Sequence, residues 1–345
     1  MQSRYTFTFV PTRVVGQGFF GVVQQGTWTV TSKLTEEAAQ TVTREVAIKS
    51  IPRKIKTRDQ CLVSNIPFIQ VEVDILAKHR QHPFVNSLYA VIQERDQVHL
   101  VLQYCPGGDL FSLIQAYRLD IAQACPRTPE TVAFFLKAMK FWACEIVVAL
   151  SDLHASHIMH GDMKCENLLI DASGHIRLCD FGLSERHCQG NRVVARHGTE
   201  LFMSPEQRQQ KMLGLAVDAW ALGYIFLHMF TLISPRAHRD GDTENCNMEA
   251  LRKSEPTTQF ERDINNLIGR LLVVDRTQRA TMPDVLAHDA FRDVNWKEVR
   301  SKSIAVPWIP ATDADNFDAE FTALPVKEIS AADCTVFTII PARFS

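Results

Sequence analysis

The sequence predicts an α+β protein with a β-rich first lobe containing one key helix, a mainly helical second lobe and an extended tail. Two patterns carry this prediction. Short segments rich in Val, Ile, Phe and Thr dominate up to residue 104, and helical periodicity dominates from about residue 110 to 291. A chain of 345 residues also suits two lobes, at roughly 150 residues each. We therefore place the lobes at residues 5–104 and 105–296 and the tail at 297–345.

Strand character in the first lobe is concentrated in four segments, at residues 5–15, 22–30, 45–51 and 98–104. One stretch, 68–78, differs because Ile69, Val73 and Leu76 recur there at helical spacing. Residues 36–44 look like an insertion between two of the strands. We expect a solvated loop at this insertion.

Long helical patterns mark the second lobe, with residues 133–154 and 217–232 as the main candidates. An apolar run at 219–233 is too short to span a bilayer and is interrupted by Gly223 and His228, so we interpret it as a core helix. Beyond Trp296 the segments contain Pro and Asp and show no amphipathic period. The tail is therefore predicted to be extended.

Composition and charge exclude several classes of protein. The chain is 46% hydrophobic and 22% charged with a net charge of −2, which argues against a disordered chain and a general nucleic-acid binder. Its nine cysteines form no CxxC pair, which is typical of free thiols in a reducing compartment. The first residues lack the apolar run of a signal peptide. We expect a cytoplasmic monomer, with nuclear entry left open, no membrane segment and no nucleic-acid partner.

A glycine-rich string, GxGxxG at Gly16, Gly18 and Gly21, lies between two predicted strands. A dinucleotide fold needs a helix directly after such a string, and the residues that follow have strand character instead. A turn of this kind can cover phosphates through its backbone N–H groups, and Val23 on the second strand would face a flat base. Taken alone, the string is equally consistent with a flexible hairpin.

A lysine in an apolar strand, Lys49 after Val46, Ala47 and Ile48, also indicates a functional role. Such a lysine needs an anionic partner. Glu72, in the predicted helix, can hold the ammonium group ready for the α and β phosphates of a nucleotide.

The densest chemistry lies between residues 160 and 182. Phosphoryl transfer needs a carboxylate to orient the attacking hydroxyl, a cation near the γ-phosphate and oxygen ligands for Mg²⁺. The sequence supplies these groups in order: Asp162 in His-Gly-Asp, then Lys164, Asn167 and Asp180 of Asp-Phe-Gly. Together with Lys49 upstream, this order predicts a phosphotransferase.

These motifs resemble those of eukaryotic protein kinases over residues 10–296, continuing through Ser204-Pro205-Glu206, residues 218–223 and Arg279. The resemblance implies the bilobal kinase fold, the use of ATP and Mg²⁺, and structural roles for Asp218 and for a Glu206–Arg279 pair. It also implies an adenine site formed by Leu102 as gatekeeper, the backbones of Gln103 and Cys105, and Val23, Ala47 and Leu169 around the base.

Lys164 with Thr199 resembles serine/threonine kinases, which implies an alcohol acceptor. Residues 106–111 and 141–150 resemble the AGC class, the relatives of cyclic-nucleotide-dependent kinase, Akt and protein kinase C. Residues 316–321 resemble the AGC tail, which implies that Phe317 and Phe321 complete the ATP pocket.

Two acidic residues, Asp109 and Glu166, match family positions that favour arginine before the acceptor. Alternatively, Asp109 binds the ATP ribose and has no role toward the peptide. A third family acid is replaced by His228, which weakens the expected preference for arginine.

The activation loop departs from the family pattern. The family's His-Arg-Asp is His-Gly-Asp here, so Gly161 stands where an arginine would read a loop phosphate, and Ala195 stands at the usual phosphothreonine. We hypothesise that other contacts, such as those of Arg192, Arg196 or His197, hold the loop.

The end of the tail also departs from the family. The hydrophobic motif is at best residues 334–339, with Cys334 in place of a phenylalanine. The resemblance therefore does not imply that this motif docks on the first lobe.

The sequence thus predicts a serine/threonine protein kinase that transfers the ATP γ-phosphate to protein Ser/Thr hydroxyls, with some preference for basic residues before the acceptor and without activation-loop phosphorylation. A pseudokinase scaffold is one alternative, because of Gly161 and the unusual tail. A small-molecule phosphotransferase is the other, although those folds lack the Asp-Phe-Gly and Ser-Pro-Glu motifs seen here.

Overall fold

The structure is a computed structural model that describes residues 5–18, 21–33, 39–56, 62–123, 129–186, 198–209, 213–231, 256, 258–311, 316–317, 319–329 and 334–339. The strands are β1 (Tyr5–Gly18), β2 (Gly21–Lys33), β3 (Ala39–Pro52), β4 (Lys54–Lys56), β5 (Leu62–Ser64), β6 (Leu88–Glu94), β7 (Gln97–Gln103), β8 (Ile158–Met159), β9 (Leu168–Ile170), β10 (Ile176–Leu178), β11 (Glu185–Arg186) and β12 (Cys334–Ile339). The helices are α1 (Ile66–Lys78), α2 (Leu110–Gln123), α3 (Pro129–Ala155), α4 (Pro205–Arg208), α5 (Ala216–Thr231), α6 (Gln259–Leu271), α7 (Met282–Leu286), α8 (Trp296–Arg300) and α9 (Ala319–Thr322).

The chain divides into two compact units. The first unit comprises Met1–Gln81, Asn86–Pro106 and Asp313–Ser345, and the second comprises His82–Val85 and Gly107–Thr312. The first contains an antiparallel sheet and the second is mainly helical. The α+β class predicted from the sequence is confirmed.

A six-stranded antiparallel sheet in the order β1-β2-β3-β7-β6-β12 forms the first unit. The prediction of a loop at residues 36–44 is wrong for residues 39–44, which begin β3 and continue the β2–β3 hairpin; residues 36–38 lie outside the described residues. Thr and Val alternate there, and both residue types favour strands. The Thr29 and Thr43 hydroxyls lie 3.0 Å apart across the pair, as do those of Thr31 and Thr41.

One face of this sheet carries a buried apolar core to which the tail contributes. Ile329 of the tail is 5% exposed and packs in this core. Its neighbours there come from five strands: Phe7, Phe9, Trp28, Val30, Val46, Ile48, Ala90, Ile92 and Val101. Two residues before Ile329, the backbone N–H of Lys327 donates to the Gln24 side-chain oxygen at 2.5 Å, and the Gln24 amide donates back to the Lys327 carbonyl at 2.9 Å.

The tail is more structured than the sequence predicted. Its strand β12 pairs with β6, in register from Cys334 opposite Glu94 to Ile339 opposite Ala90. Backbone hydrogen bonding therefore joins the candidate hydrophobic motif to the sheet of the first unit, an arrangement the family resemblance did not imply.

The second unit is built around α3 and α5, which contact each other. Trp142 of α3 and Trp220, Tyr224 and Phe226 of α5 are almost fully buried. The predicted core helix is confirmed over residues 219–231, which belong to α5; residues 232 and 233 lie outside the described residues. Among the helices that the structure describes, none has the length and apolar character needed to cross a membrane.

Candidate active site

The three glycines of the predicted phosphate-binding turn lie at the end of the β1–β2 hairpin. Gly16 pairs with Val23, and Gly18 pairs with Gly21. Gly21 has a φ of +147°, and a Cβ atom there would lie 2.0 Å from the Ser50 carbonyl oxygen, so only glycine fits this position. A strand follows the string, which excludes the dinucleotide fold. Residues 19 and 20 are outside the described part of the chain.

Lys49 and Glu72 form a buried ion pair in the first unit. The Lys49 Nζ lies 2.7 Å from Glu72 Oε1 and 2.9 Å from Oε2, and the two residues are 8% and 1% exposed. Helix α1 places Glu72 on the same buried face as Ile69 and Ile75. The predicted anionic partner of Lys49 is therefore present, and the pair fixes the position of the ammonium group.

The predicted base-binding residues of the first unit share one face of the sheet with Lys49. Lys49 pairs with Val23, and Ala47 pairs with Leu102. Because side chains alternate along a strand and directly paired residues point the same way, Val23, Ala47 and Leu102 lie on the Lys49 face. This face is opposite the one that carries Ile48 and the apolar core.

The two predicted adenine partners lie where β7 ends: Gln103 is its last residue, and Cys105 follows two residues later. The Gln103 N–H donates to the Ser87 carbonyl at 2.9 Å, and its carbonyl accepts a long hydrogen bond of 3.4 Å from the Asn86 amide. Cys105 is buried, at 4% exposure. The structure thus shows what orients this backbone, and its role toward adenine stays a prediction.

Phe317 of the tail lies beside this same segment. Its ring stacks on Tyr104 with centroids 5.8 Å apart and planes at 19°. The Arg13 guanidinium lies 4.9 Å from the Phe317 centroid and donates to the Tyr104 hydroxyl at 2.9 Å. Asn316 donates to the Pro106 carbonyl at 3.0 Å. These contacts anchor Phe317. Phe321 lies in α9. The roles of both residues toward ATP stay predictions.

In the second unit, Asp162, Lys164 and Thr199 form one connected group. The Asp162 carboxylate accepts from the Thr199 backbone N–H at 2.8 Å and lies 3.1 Å from Lys164 Nζ. Lys164 donates to the Thr199 hydroxyl at 2.8 Å. Burial alone would lower the pKa of Lys164, but the neighbouring carboxylates, Asp162 first, outweigh it and raise the pKa. Lys164 is therefore a fixed positive charge beside the Asp162 carboxylate.

Asn167 and Asp180 present the oxygen atoms that Mg²⁺ prefers. The Asn167 amide nitrogen donates to the Asp162 carbonyl at 2.7 Å, so its side-chain oxygen points away from that bond. Asp180 adopts a φ of +60°, a strained backbone conformation for a non-glycine residue. Its carboxylate also contributes to the raised pKa of Lys164, which places the two charges in the same neighbourhood. A carboxylate and an amide oxygen fit a hard divalent cation.

Asp218 anchors the chain just before Asp162. Its fully buried carboxylate accepts from the backbone N–H groups of His160 at 2.8 Å and Gly161 at 2.9 Å, and from His154 at 2.9 Å. Burial raises the pKa of Asp218, but the hydrogen bond and charge of His154, with smaller contributions from His160 and Gly161, lower it overall. The structural role expected for Asp218 is confirmed.

The carbonyl groups of the same two residues are also bonded. Ser184 donates its hydroxyl to the His160 carbonyl at 2.9 Å, and Gln207 donates its amide to the Gly161 carbonyl at 3.2 Å. Neither role was predicted from the sequence. One signal was available for Gln207, because Ser204-x-x-Gln207 matches the capping-box pattern and α4 does begin with that box.

Glu206 and Arg279 form the predicted ion pair. Two parallel hydrogen bonds, of 2.7 and 3.0 Å, join the Arg279 guanidinium to the Glu206 carboxylate. Arg279 also donates to the Ala216 carbonyl at 2.7 Å and covers the Trp220 ring at 4.9 Å. The pair ties the start of α4 to the start of α5.

Asp109 and Glu166 are close enough to affect each other electrostatically. Burial raises the pKa of both, and the Asp109 charge raises that of Glu166 further. Asp109 also accepts from the Ser112 N–H and hydroxyl, each at 2.9 Å, so it caps the start of α2. His228 is fully buried and stacks on Phe111, with centroids 5.5 Å apart.

Leu169, predicted to contact the base, belongs to the second unit. Leu169 lies in β9 and forms a β-bridge with Asp109. The residues proposed to hold the activation loop, Arg192, Arg196 and His197, lie outside the described residues, as does Ala195.

Comparison with known proteins identifies the family. Residues 9–291 match the protein kinase domain model, and the chain belongs to this family. Similar proteins include the protein kinase C of Aspergillus fumigatus (29% identical over 323 residues, 90% of this chain and 26% of that protein) and the cAMP-dependent protein kinase catalytic subunit of Dictyostelium discoideum (34% over 246 residues, 69% and 35%). The serine/threonine-protein kinase Sgk1 of Rattus norvegicus is 29% identical over 323 residues, 91% of this chain and 68% of that protein.

These names agree with the serine/threonine AGC type that the sequence predicted. The chain spans about a quarter of the length of the Aspergillus fumigatus relative.

Proposed function

We propose that this chain is an active serine/threonine protein kinase of the AGC type, which transfers the γ-phosphoryl group of ATP to protein hydroxyls. The observation that carries the proposal is the joined group of Asp162, Lys164 and Thr199 in the second unit. The Lys164 cation lies against the Asp162 carboxylate and donates to the Thr199 hydroxyl, and the Thr199 backbone N–H donates to the Asp162 carboxylate. The buried Lys49–Glu72 pair of the first unit supports it independently.

Each of these residues has a role that its contacts support. Asp162 orients the acceptor hydroxyl and takes its proton as the new O–P bond forms and the bond to ADP breaks. Lys164, held beside Asp162, supplies positive charge to the phosphoryl oxygens in the transition state. Lys49 binds the α and β phosphates. Asn167 and Asp180 would hold Mg²⁺, which when bound neutralises negative charge on the phosphates.

We also propose that the activity does not depend on activation-loop phosphorylation. Gly161 lacks the side chain that would bind a loop phosphate, and Asp218, Ser184 and Gln207 already bond the backbone beside it. The preference for basic residues before the acceptor rests on Asp109 and Glu166. We expect it to be modest, because Asp109 is engaged with Ser112.

The test is transfer of radiolabelled phosphate from Mg-ATP to an arginine-containing serine peptide, with a matched tyrosine peptide and with Asp180→Asn as control. We expect labelling of the serine peptide only, and none by the control variant. Tight ATP binding without transfer to any Ser or Thr peptide or protein would favour the pseudokinase scaffold instead. Labelling of a small alcohol in preference to protein would favour a small-molecule phosphotransferase.

A further inference from the structure

All four polar backbone groups of His160 and Gly161 are hydrogen-bonded to buried side chains. Asp218 accepts from the two N–H groups, Ser184 donates to the His160 carbonyl and Gln207 donates to the Gly161 carbonyl. The three side chains are 0%, 5% and 5% exposed. The chain segment that leads into Asp162 is thus held from both sides by uncharged donors and one carboxylate.

The orientation of Gln207 follows from its other bonds. Its side-chain oxygen accepts from the Ser204 backbone N–H at 2.9 Å, while the Ser204 hydroxyl accepts from the Gln207 N–H. This capping box assigns the oxygen to Ser204 and leaves the amide N–H₂ to face Gly161. One side chain therefore joins the start of α4 to the residue before Asp162.

The position of Gly161 leaves little freedom for this segment. Gly161 has a φ of +82°, and its carbonyl oxygen would lie 3.3 Å from a Cβ atom built on Gly198. Gly198 precedes Thr199, whose N–H binds the Asp162 carboxylate. Gln207, Gly198 and Thr199 also line one small cavity with Asp162. A shift of the Gly161 peptide would therefore move the Asp162 carboxylate.

We infer that Gln207 is a positioning residue for Asp162, and that its neutral hydrogen bond performs the task that an arginine and a loop phosphate perform elsewhere in the family. The inference rests on the proposed kinase activity. Because an amide–carbonyl bond requires no modification, it holds the segment in every phosphorylation state of the loop.

The test compares Gln207→Glu with Gln209→Glu. The first variant keeps the side-chain shape and the acceptor for Ser204, but it presents a carboxylate oxygen to the Gly161 carbonyl. The second makes the same charge change two residues later, at an exposed position. Peptide phosphorylation kinetics, the dissociation constant for Mg-ATP and amide hydrogen exchange over residues 160–163 are measured for both variants and the unmodified protein.

We expect Gln207→Glu to lower kcat about tenfold to a hundredfold, as misplacement of a catalytic group does, with ATP affinity changed less than about twofold. Hydrogen exchange at residues 160–163 rises in this variant only. Where Gln207→Glu does not fold, Gln207→Ala replaces it in the same comparison. Unchanged kcat and unchanged exchange in the folded variant overturn the inference. If the unmodified protein itself transfers no phosphate, the proposed function fails, and the exchange comparison still decides whether Gln207 holds this segment.

Discussion

Gly161 shows how backbone geometry at one residue decides which side chain the catalytic loop can carry. A Cβ atom at this position would lie 2.6 Å from the Leu183 carbonyl oxygen, and φ is +82°. L-amino acids rarely adopt this conformation. The local backbone therefore disfavours the arginine of the family motif at this position. Restoring the arginine by a single substitution should strain the loop.

We expect Gly161→Arg to lower the free energy of unfolding by about 1–3 kcal/mol, the usual cost of a strained backbone position, and to reduce kcat. Gly214→Ala serves as the control, because nothing lies within 4 Å of a Cβ atom there. Urea denaturation measures the free energy of unfolding, and peptide phosphorylation kinetics measure kcat. A Gly161→Arg variant as stable and active as the unmodified protein would show that the loop adapts freely.

Asp162 serves the acceptor hydroxyl in the proposed reaction, so its loss should affect turnover and spare nucleotide binding. We expect Asp162→Ala to lower kcat by about 10²–10⁴, the usual contribution of a positioned acid or base. Steady-state kinetics and an ATP titration measure the two effects separately. Loss of ATP affinity in a well-folded variant would contradict this role.

We expect the contribution of Asp218 to the stability of the protein to depend on pH. Its folded-state pKa lies below the ordinary value of 3.8, so its contribution to stability is present above that value and is lost as the pH falls through the folded pKa. The stability difference between the unmodified protein and Asp218→Asn should therefore shrink as the pH falls below about 4. Urea denaturation between pH 7 and 3 tests this, with the exposed Asp96→Asn as control. A difference that stays constant over this range would refute it.

The sequence predicted those site residues that lie within contiguous motifs. Asp162, Lys164 and Asn167 fall within six residues of one another, and Asp180 belongs to a motif of its own. Ser184 and Gln207 were missed because no motif in the sequence pairs them with the catalytic loop, 24 and 46 residues away, whereas the family resemblance pairs Glu206 with Arg279 across 73 residues. A single sequence does not reveal which distant side chain will meet a given backbone carbonyl.

At the scale of elements, the tail and the sheet of the first unit fold together. Lys327 bonds Gln24 on β2, Ile329 fills the core beside Trp28 and Ile48, and β12 extends the sheet next to β6. Gln24 follows Val23 directly on the strand that begins with the glycine-rich turn. The tail therefore supports the strand that carries predicted nucleotide-binding residues.

We expect Ile329→Ala to destabilise the protein by about 2–5 kcal/mol, the usual cost of truncating a buried isoleucine. The tail residue Val326, which is 42% exposed, provides the matched control as Val326→Ala, with a much smaller effect. Chemical denaturation followed by tryptophan fluorescence reports the change, since Trp28 lies in the same core. Equal effects of the two variants would mean that the tail does not contribute to this core.

The sequence predicted individual elements better than their partners. The expected strands at 22–30 and 98–104 and the helix at 68–78 correspond to β2, β7 and α1. The pairing of β12 with β6 was not predicted, because strand pairing links segments more than 200 residues apart and local composition does not select the partner. The hairpin at 39–44 was missed because an insertion was equated with a loop.

At the scale of the whole molecule, the kinase motifs are distributed over both compact units. The first unit contains the glycine-rich hairpin and the Lys49–Glu72 pair, and the second contains Asp162, Asn167 and Asp180. Residues 9–291 match the protein kinase domain, and the tail beyond them contributes Phe317 and Ile329 to the first unit. The proposed activity therefore belongs to the chain with its tail, and functional tests should use the full 345 residues.

The most direct test of the proposed function is a time course of peptide phosphorylation by protein expressed in bacteria and treated with phosphatase, which is then removed. Intact-mass spectrometry first confirms that no phosphate is present and then follows the protein during the reaction. We predict that the unphosphorylated chain transfers phosphate without a lag and that Asp180→Asn transfers none. Activity that appears only as a phosphate accumulates between residues 184 and 204, or no transfer despite tight Mg-ATP binding, would contradict a kinase that works without a loop phosphate.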